Sequence, residues 1–213
     1  RAEKTAPEVL ATVLNLAKTI KKVGVVAGVC HGFIGNRMLG GYAREANLLV
    51  LEGASPQQVD KALFDFGMPM GVLAMGDLAG LDIGYRLRQQ LDESQYDVRA
   101  TYVSDKLVEM NRLGQKTGAG IYDYEAGNRT PIPSDVTAKL IEDAAQHFAI
   151  ERREIADEEI ITRCFAAMVN IGCDILDEGM AYRASDIDIT YINGYGFPAY
   201  RGGPMYWAEH DLG

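Results

Sequence analysis

The stretch HGFIGNRMLG, His31 to Gly40, stands where a short apolar, β-branched run, Val23 to Val29, gives way to helical spacing. From Met38 onward Leu39, Tyr42, Ala43, Ala46, Leu49 and Val50 form one apolar stripe, and Glu52-Gly53 closes it with a C-terminal glycine. Gly32 and Gly35 allow the backbone to turn sharply and other groups to come close, and Asn36 offers both a donor and an acceptor at the start of the helix. One strand makes no sheet, so Val23–Val29 reads as the edge of a domain whose remainder lies upstream.

Working outward, Thr5-Ala-Pro-Glu8 has the form of a capping box and predicts a helix over residues 6–22, with Val9, Val13, Leu16, Ala17 and Ile20 on its inner face. Ser55-Pro-Gln-Gln58 is a second box, whose helix turns Val59, Ala62, Leu63 and Phe66 inward and stops at Gly67. VLAMGDLAG, LDIGYRLRQQL and SDKLVEMNRLG predict three further helices, and Ile121, Tyr122 and Tyr124 a short extended segment. Residues 125–134, EAGNRTPIPS, have linker composition and mark a boundary. Two amphipathic helices follow, the second long.

The text then repeats itself. Arg37 set against Arg163 aligns the halves at an offset of 126, and Glu52-Gly53 falls on Glu178-Gly179. Val59-Asp60 meets Ile187-Asp188 at 128, Met68-Pro69 meets Phe197-Pro198 at 129, and Leu78-Ala-Gly80 meets Asp211-Leu-Gly213 at 133. A register that survives so many punctuation points indicates two copies of one helical unit. The expected organisation is therefore residues 1–30, 31–125 and 126–213.

The 213 residues carry a net charge of -9 with scattered cations, which argues against a nucleic-acid partner. No apolar run reaches the ~20 residues needed to span a bilayer, and RAEKTAPEVL lacks a signal-peptide core, so a cytoplasmic chain is expected. Cys30, Cys164 and Cys173 show no CxxC spacing, and buried thiols rather than a metal site are predicted.

GFIGNRML, the EGAS segment, GMPMGVLAMGDLAGLDIG, GQKTGAGIYDY and GYGFPAYRGGPMYWA together resemble the C-terminal domains of L-3-hydroxyacyl-CoA dehydrogenases. Two copies in tandem resemble the multifunctional fatty-acid oxidation enzymes more than the single-function dehydrogenase. The resemblance implies a mainly α chain of two related helical units, similar to the C-terminal domain of 6-phosphogluconate dehydrogenase, after a helix–strand remnant of a Rossmann domain. It implies that the parent oxidises L-3-hydroxyacyl-CoA with NAD, that Asn36 is the active-site asparagine, and that the His–Glu general base lies on the missing Rossmann domain. Gly32, Gly35, Lys116 and Thr117 are candidate substrate contacts. There is no GxGxxG, so this chain alone is expected to bind no NAD and to be inactive. A tandem pseudo-dimer would make it a monomer.

Two rivals stand beside this reading. The duplicated region could be a docking or dimerisation scaffold, or the helical domain of another β-hydroxyacid dehydrogenase; the latter expects a helix-borne lysine, and none occurs between Arg37 and Asp60. Asn36 by itself is an ordinary helix cap. Arg37 is expected to pair with Glu45 or Glu52, and Lys116-Thr117 to sit in a loop that packs on the first copy. The second copy has Thr162 where the first has Asn36. Tyr195, Phe197, Tyr200, Tyr206 and Trp207 fit either core or a contact surface, and Asp186 and Asp188 read as helix-terminal charge.

Overall fold

In the computed structural model, which describes residues 1–212, ten α-helices and no strand form among the described residues. The helices are α1 (Pro7–Thr19), α2 (Gly35–Glu52), α3 (Pro56–Phe66), α4 (Val72–Ala79), α5 (Leu81–Arg88), α6 (Val98–Glu109), α7 (Asp135–His147), α8 (Asp157–Asp177), α9 (Ala184–Gly194) and α10 (Pro204–Trp207). Gly213, the last point of the repeat register, lies outside the described residues. Two compact units emerge, Tyr42–Cys164 and Arg1–Gly41 with Phe165 onward. This division differs from the tandem register, because α2 and α8 contribute residues to both units.

Within Tyr42–Cys164, α2 buries Tyr42, Ala46, Leu49 and Val50. Ser55 caps α3 by accepting from the Gln58 N–H at 3.1 Å. The other half of that box is not made, because Gln58 Nε2 donates instead to Ile155 O at 2.8 Å and Asp157 Oδ1 at 2.9 Å. Two acids organise the interior. Asp60 accepts from the N–H groups of Leu73 and Ala74, each at 2.9 Å, and from the Tyr122 hydroxyl at 2.8 Å. Asp77, 1% exposed, accepts from the N–H groups of Ile121 at 2.8 Å and Tyr122 at 2.9 Å and from the Tyr124 hydroxyl at 3.0 Å. Burial pushes both carboxyls above the usual range, and these donors pull the other way. The predicted extended segment is held by isolated bridges, Gly114 to Ala119, Ala119 to Asp123 and Asp123 to Ile132.

In the same unit Arg163 gathers three carboxylates: Glu52 bidentately at 2.5 and 2.8 Å, Glu45 at 2.6 Å and Glu159 at 3.0 Å. Glu45 and Glu52 are therefore held by Arg163, not by Arg37 as expected from local spacing. A helix surface offers several acids at comparable spacing, and the tertiary partner wins.

The other unit has its core in Met38, Phe165, Met168, Ile175, Ile187, Tyr191, Phe197 and Trp207. Phe165 meets Phe197 and Trp207 edge-on, with ring centroids 5.6 and 5.3 Å apart. Tyr200 and Tyr206 are exposed, so the aromatic cluster is divided between core and surface. The buried stripe of α8 runs through Ile160, Cys164, Met168, Gly172 and Ile175, with Phe165 beside it, whereas Val169 and Leu176 are half-buried.

Four expectations are corrected here. The Val23–Val29 strand does not form, because within the described residues it has no neighbouring strand to pair with; Gly28 N–H donates to Met180 O at 2.7 Å instead. Helix α1 starts after Ala6, with no side-chain cap, and Thr5 Oγ1 accepts from the Ala2 N–H at 3.0 Å. Its predicted inner face is in the open: Val9, Val13, Leu16 and Ile20 are each more than half exposed. Of the three free thiols only Cys164 is buried, which pushes it up to about 12, while Cys173 is exposed.

The repeat register has a structural counterpart at two places. Asp188 accepts from the Met205 N–H at 2.7 Å and the Tyr206 N–H at 3.4 Å, at the head of α10, as Asp60 does at the head of α4. Gly71 and Gly203 each lie where a Cβ would collide with the capping aspartate. The arginines follow suit: Arg37 holds Glu178 at 2.6 and 2.7 Å, and Arg163 holds Glu52. Each arginine takes the glutamate of the opposite copy.

Candidate functional site

The head of α2 is built by a tight turn. Gly32 has φ +72°, and a Cβ there would lie 2.7 Å from Arg37 N, so only glycine lets the Arg37 N–H close onto Gly32 O at 3.3 Å. Phe33 N–H donates to Cys30 O at 3.2 Å, and the Phe33 side chain is left exposed. Gly35 opens the helix with ordinary backbone angles, and its lack of a side chain serves a different end. A Cβ at Gly35 would collide with the ring of Tyr195.

Tyr195, just past the end of α9, lies over Gly35 and stacks on Tyr191 with ring centroids 4.8 Å apart and planes at 24°. The Tyr191 hydroxyl donates to Gly35 O at 2.9 Å. The Tyr195 hydroxyl donates to Asn36 Oδ1 at 2.7 Å. Asn36 is the second residue of α2, exposed, and its side-chain oxygen takes a bond from a residue 159 positions away rather than capping its own helix. Beside it, Arg37 is fixed by Glu178 and in turn holds that carboxyl below its ordinary value. His31 is exposed in the preceding turn.

Gly35, Asn36 and Tyr195 line a cavity of about 650 Å³. Gly32 to Asn36 line it together with Lys21, Lys22, Val23, Val25 and Ala27 and with Ile189, Thr190, Asn193, Gly194 and Tyr195. Gly32, Gly35 and Asn36, singled out in the sequence, are thus brought together. Lys116 and Thr117 are not in this lining. Lys116 pairs with Asp82, and Thr117 Oγ1 accepts from the Leu113 N–H at 2.9 Å and contacts Gly114 O and Ala119 O. Tyr195 and Tyr191 were not assigned to the site from sequence. The paired glycines around Tyr195, GYG, were the available signal.

Residues 32–124 match the model of the 3-hydroxyacyl-CoA dehydrogenase C-terminal domain. This segment is such a domain. The chain is 42% identical over 219 residues to a peroxisomal bifunctional enzyme of Danio rerio and 39% identical over 218 residues to that of Homo sapiens. It is covered to 97% and 96% by these relatives and spans about 30% of the length of each. Among solved structures, the dehydrogenase part of multifunctional enzyme 1 from C. elegans superposes with a TM-score of 0.70 at 28% identity, covering 94% of this chain and 45% of that one. No helix of the described residues is long and apolar enough to cross a membrane, and among them no group of His, Cys, Asp and Glu is placed to hold a metal.

Proposed function

We propose that this chain is the substrate-facing C-terminal part of an NAD-dependent L-3-hydroxyacyl-CoA dehydrogenase within a multifunctional β-oxidation protein, with Asn36 as its active-site amide. The observation that carries this reading is Asn36 itself: an exposed amide at the head of α2, on the wall of a 650 Å³ cavity, inside the segment that matches the dehydrogenase domain. An amide fixed at that point can hold the thioester end of an acyl-CoA and the catalytic imidazole by hydrogen bonds, so that the 3-hydroxyl meets the general base in a reactive geometry.

The turn at Gly32 is closed by the backbone of α2, and no strand–glycine turn–helix unit exists among the described residues. NAD and the His–Glu base belong, on this reading, to the Rossmann domain of the parent enzyme, outside these residues. Residues 31–125 and 126–213 act as tandem copies, and the exchanged pairs Arg37–Glu178 and Arg163–Glu52 support an intramolecular pseudo-dimer and a monomeric chain. The names of the relatives favour a peroxisomal compartment over the cytoplasmic one expected from sequence.

The test is Asn36→Ala in the full-length parent. Turnover of 3-hydroxyacyl-CoA is expected to fall about 10²-fold with an unchanged circular dichroism spectrum and melting midpoint. An unchanged rate would reduce Asn36 to a surface residue and leave the scaffold reading in its place.

A further inference from the structure

We propose that Tyr195, contributed by the second copy, is a positioning residue for the active-site amide of the first: its hydroxyl fixes the orientation of Asn36 and so commits the amide to act as a donor toward the cavity. The proposal rests on the reading of Asn36 given above.

An asparagine side chain can present either its oxygen or its NH₂ to a ligand, and the two faces differ only by a half-turn about one bond. The Tyr195 hydroxyl donates to Oδ1 at 2.7 Å and, as a phenol is a better donor than acceptor, favours this orientation over the flipped one. With Oδ1 turned to Tyr195, the two Nδ2 hydrogens are the groups left to face the substrate. They suit an acceptor such as the thioester carbonyl or an unprotonated imidazole nitrogen. The phenol is itself held in place: its ring is stacked on Tyr191, Tyr191 is anchored to Gly35 O at 2.9 Å, and Gly35 has no side chain to exclude the ring. The end of α9 and the head of α2 therefore converge on one hydrogen bond.

The repeat register gives an independent argument. At the offset of 126 Asn36 corresponds to Thr162, and at the offset of 128 that pairs the equally long helices α3 and α9 Tyr195 corresponds to Gly67. The second copy thus has no amide at the position equivalent to Asn36, and the first copy has no hydroxyl at the position equivalent to Tyr195. The two polar partners occur together at one of the two equivalent places, and both are absent from the other.

The experiment is a double-mutant cycle in the full-length enzyme with Tyr195→Phe, Asn36→Ala and the double variant, reading kcat, KM and the melting midpoint. Tyr195→Phe keeps the ring and removes one hydrogen-bond donor, so kcat is expected to fall about tenfold with KM within about twofold and an unchanged midpoint. In the Asn36→Ala background the same substitution is expected to have no further effect. If Tyr195→Phe retains full kcat while Asn36→Ala does not, the role of Tyr195 is refuted and Asn36 keeps its own. If Asn36→Ala retains full kcat, both fall. If the two losses multiply in the double variant, or Tyr195→Phe lowers the midpoint along with the rate in both backgrounds, Tyr195 acts on the fold and not through Asn36, and the proposal is overturned.

Discussion

Arg163→Met is the perturbation whose outcome the structure specifies most fully. Methionine keeps much of the apolar stem and removes a guanidinium that contacts Glu45, Glu52 and Glu159 within 3.0 Å. The Arg163 side chain is 26% exposed, which places the cluster between a surface pair, worth up to about 1 kcal/mol, and a buried pair, whose breakage costs roughly 3 to 5 kcal/mol. Three acids left beside one another with only Arg153, which pairs with Glu159 and lies 3.6 Å from Glu52, as a cation should cost about 2 kcal/mol at pH 7, a fall in midpoint of about 6 °C for a chain of this size. The pH dependence carries the diagnosis. Arg163 draws Glu52 below its ordinary 4.5, and Arg153 with Arg163 draws Glu159 down to about 2. Acids whose folded value is depressed stabilise the fold above the unfolded value and lose that contribution as pH falls through the folded one. The gap between parent and variant should therefore be full above pH 4.5 and close as pH falls below it through the depressed value of Glu52, whereas Glu159 keeps Arg153 in both proteins. Urea titrations of both proteins across that range measure it. A gap independent of pH, or an Arg37→Met variant destabilised as much although Arg37 has only the half-exposed Glu178 as its acid partner, would refute the reasoning.

Gly35→Ala should destabilise the fold by about 1 kcal/mol, since the displaced Tyr195 loses its stack and its hydrogen bond. In a Tyr195→Ala background the same change should become neutral or stabilising, and thermal melts of the four proteins read the reversal. Asp60→Ala removes two helix-terminal contacts and strands the Tyr122 hydroxyl, and should cost about 3 kcal/mol in chemical denaturation, more than Asp188→Ala, whose carboxylate meets two N–H groups without a phenol. Light scattering of the chain should give a monomer at low micromolar concentration; a stable dimer would contradict the intramolecular pairing.

What the sequence made legible is what local chemistry decides. The ends of α2 and α3 follow from Gly53 and Gly67, the cap of α3 from Ser55, and the turn before α2 from Gly32. The register between Arg37 and Arg163, and between Glu52 and Glu178, is also visible as spacing. Illegible were the choices made between distant residues. Which glutamate Arg37 would take depended on a residue 141 positions on, and Glu178 won over Glu45 and Glu52 because Arg163 claims both. Val23–Val29 carries the composition of a strand, yet a strand is a property of a pair, and its partner is not among the described residues. Asn36 was recognised by its motif, whereas its tyrosine partner was hidden among five aromatics that split between core and surface.

The exchanged arginines also set the order in which the chain can fold as it is made. Glu45 and Glu52 leave the ribosome more than a hundred residues before Arg163, their partner, and Arg37 leaves 141 residues before Glu178. Until α8 has emerged, α2 can be formed but carries unmatched charge at both ends, and Met38 lacks the neighbour at Gly172 against which it rests. Closure then comes from contacts of high sequence separation, which are slow to form and leave apolar surface open in the interval. Synthesis of this region should therefore expose a nascent state that chaperones can bind, and its release should coincide with completion of α8 rather than with completion of the first copy.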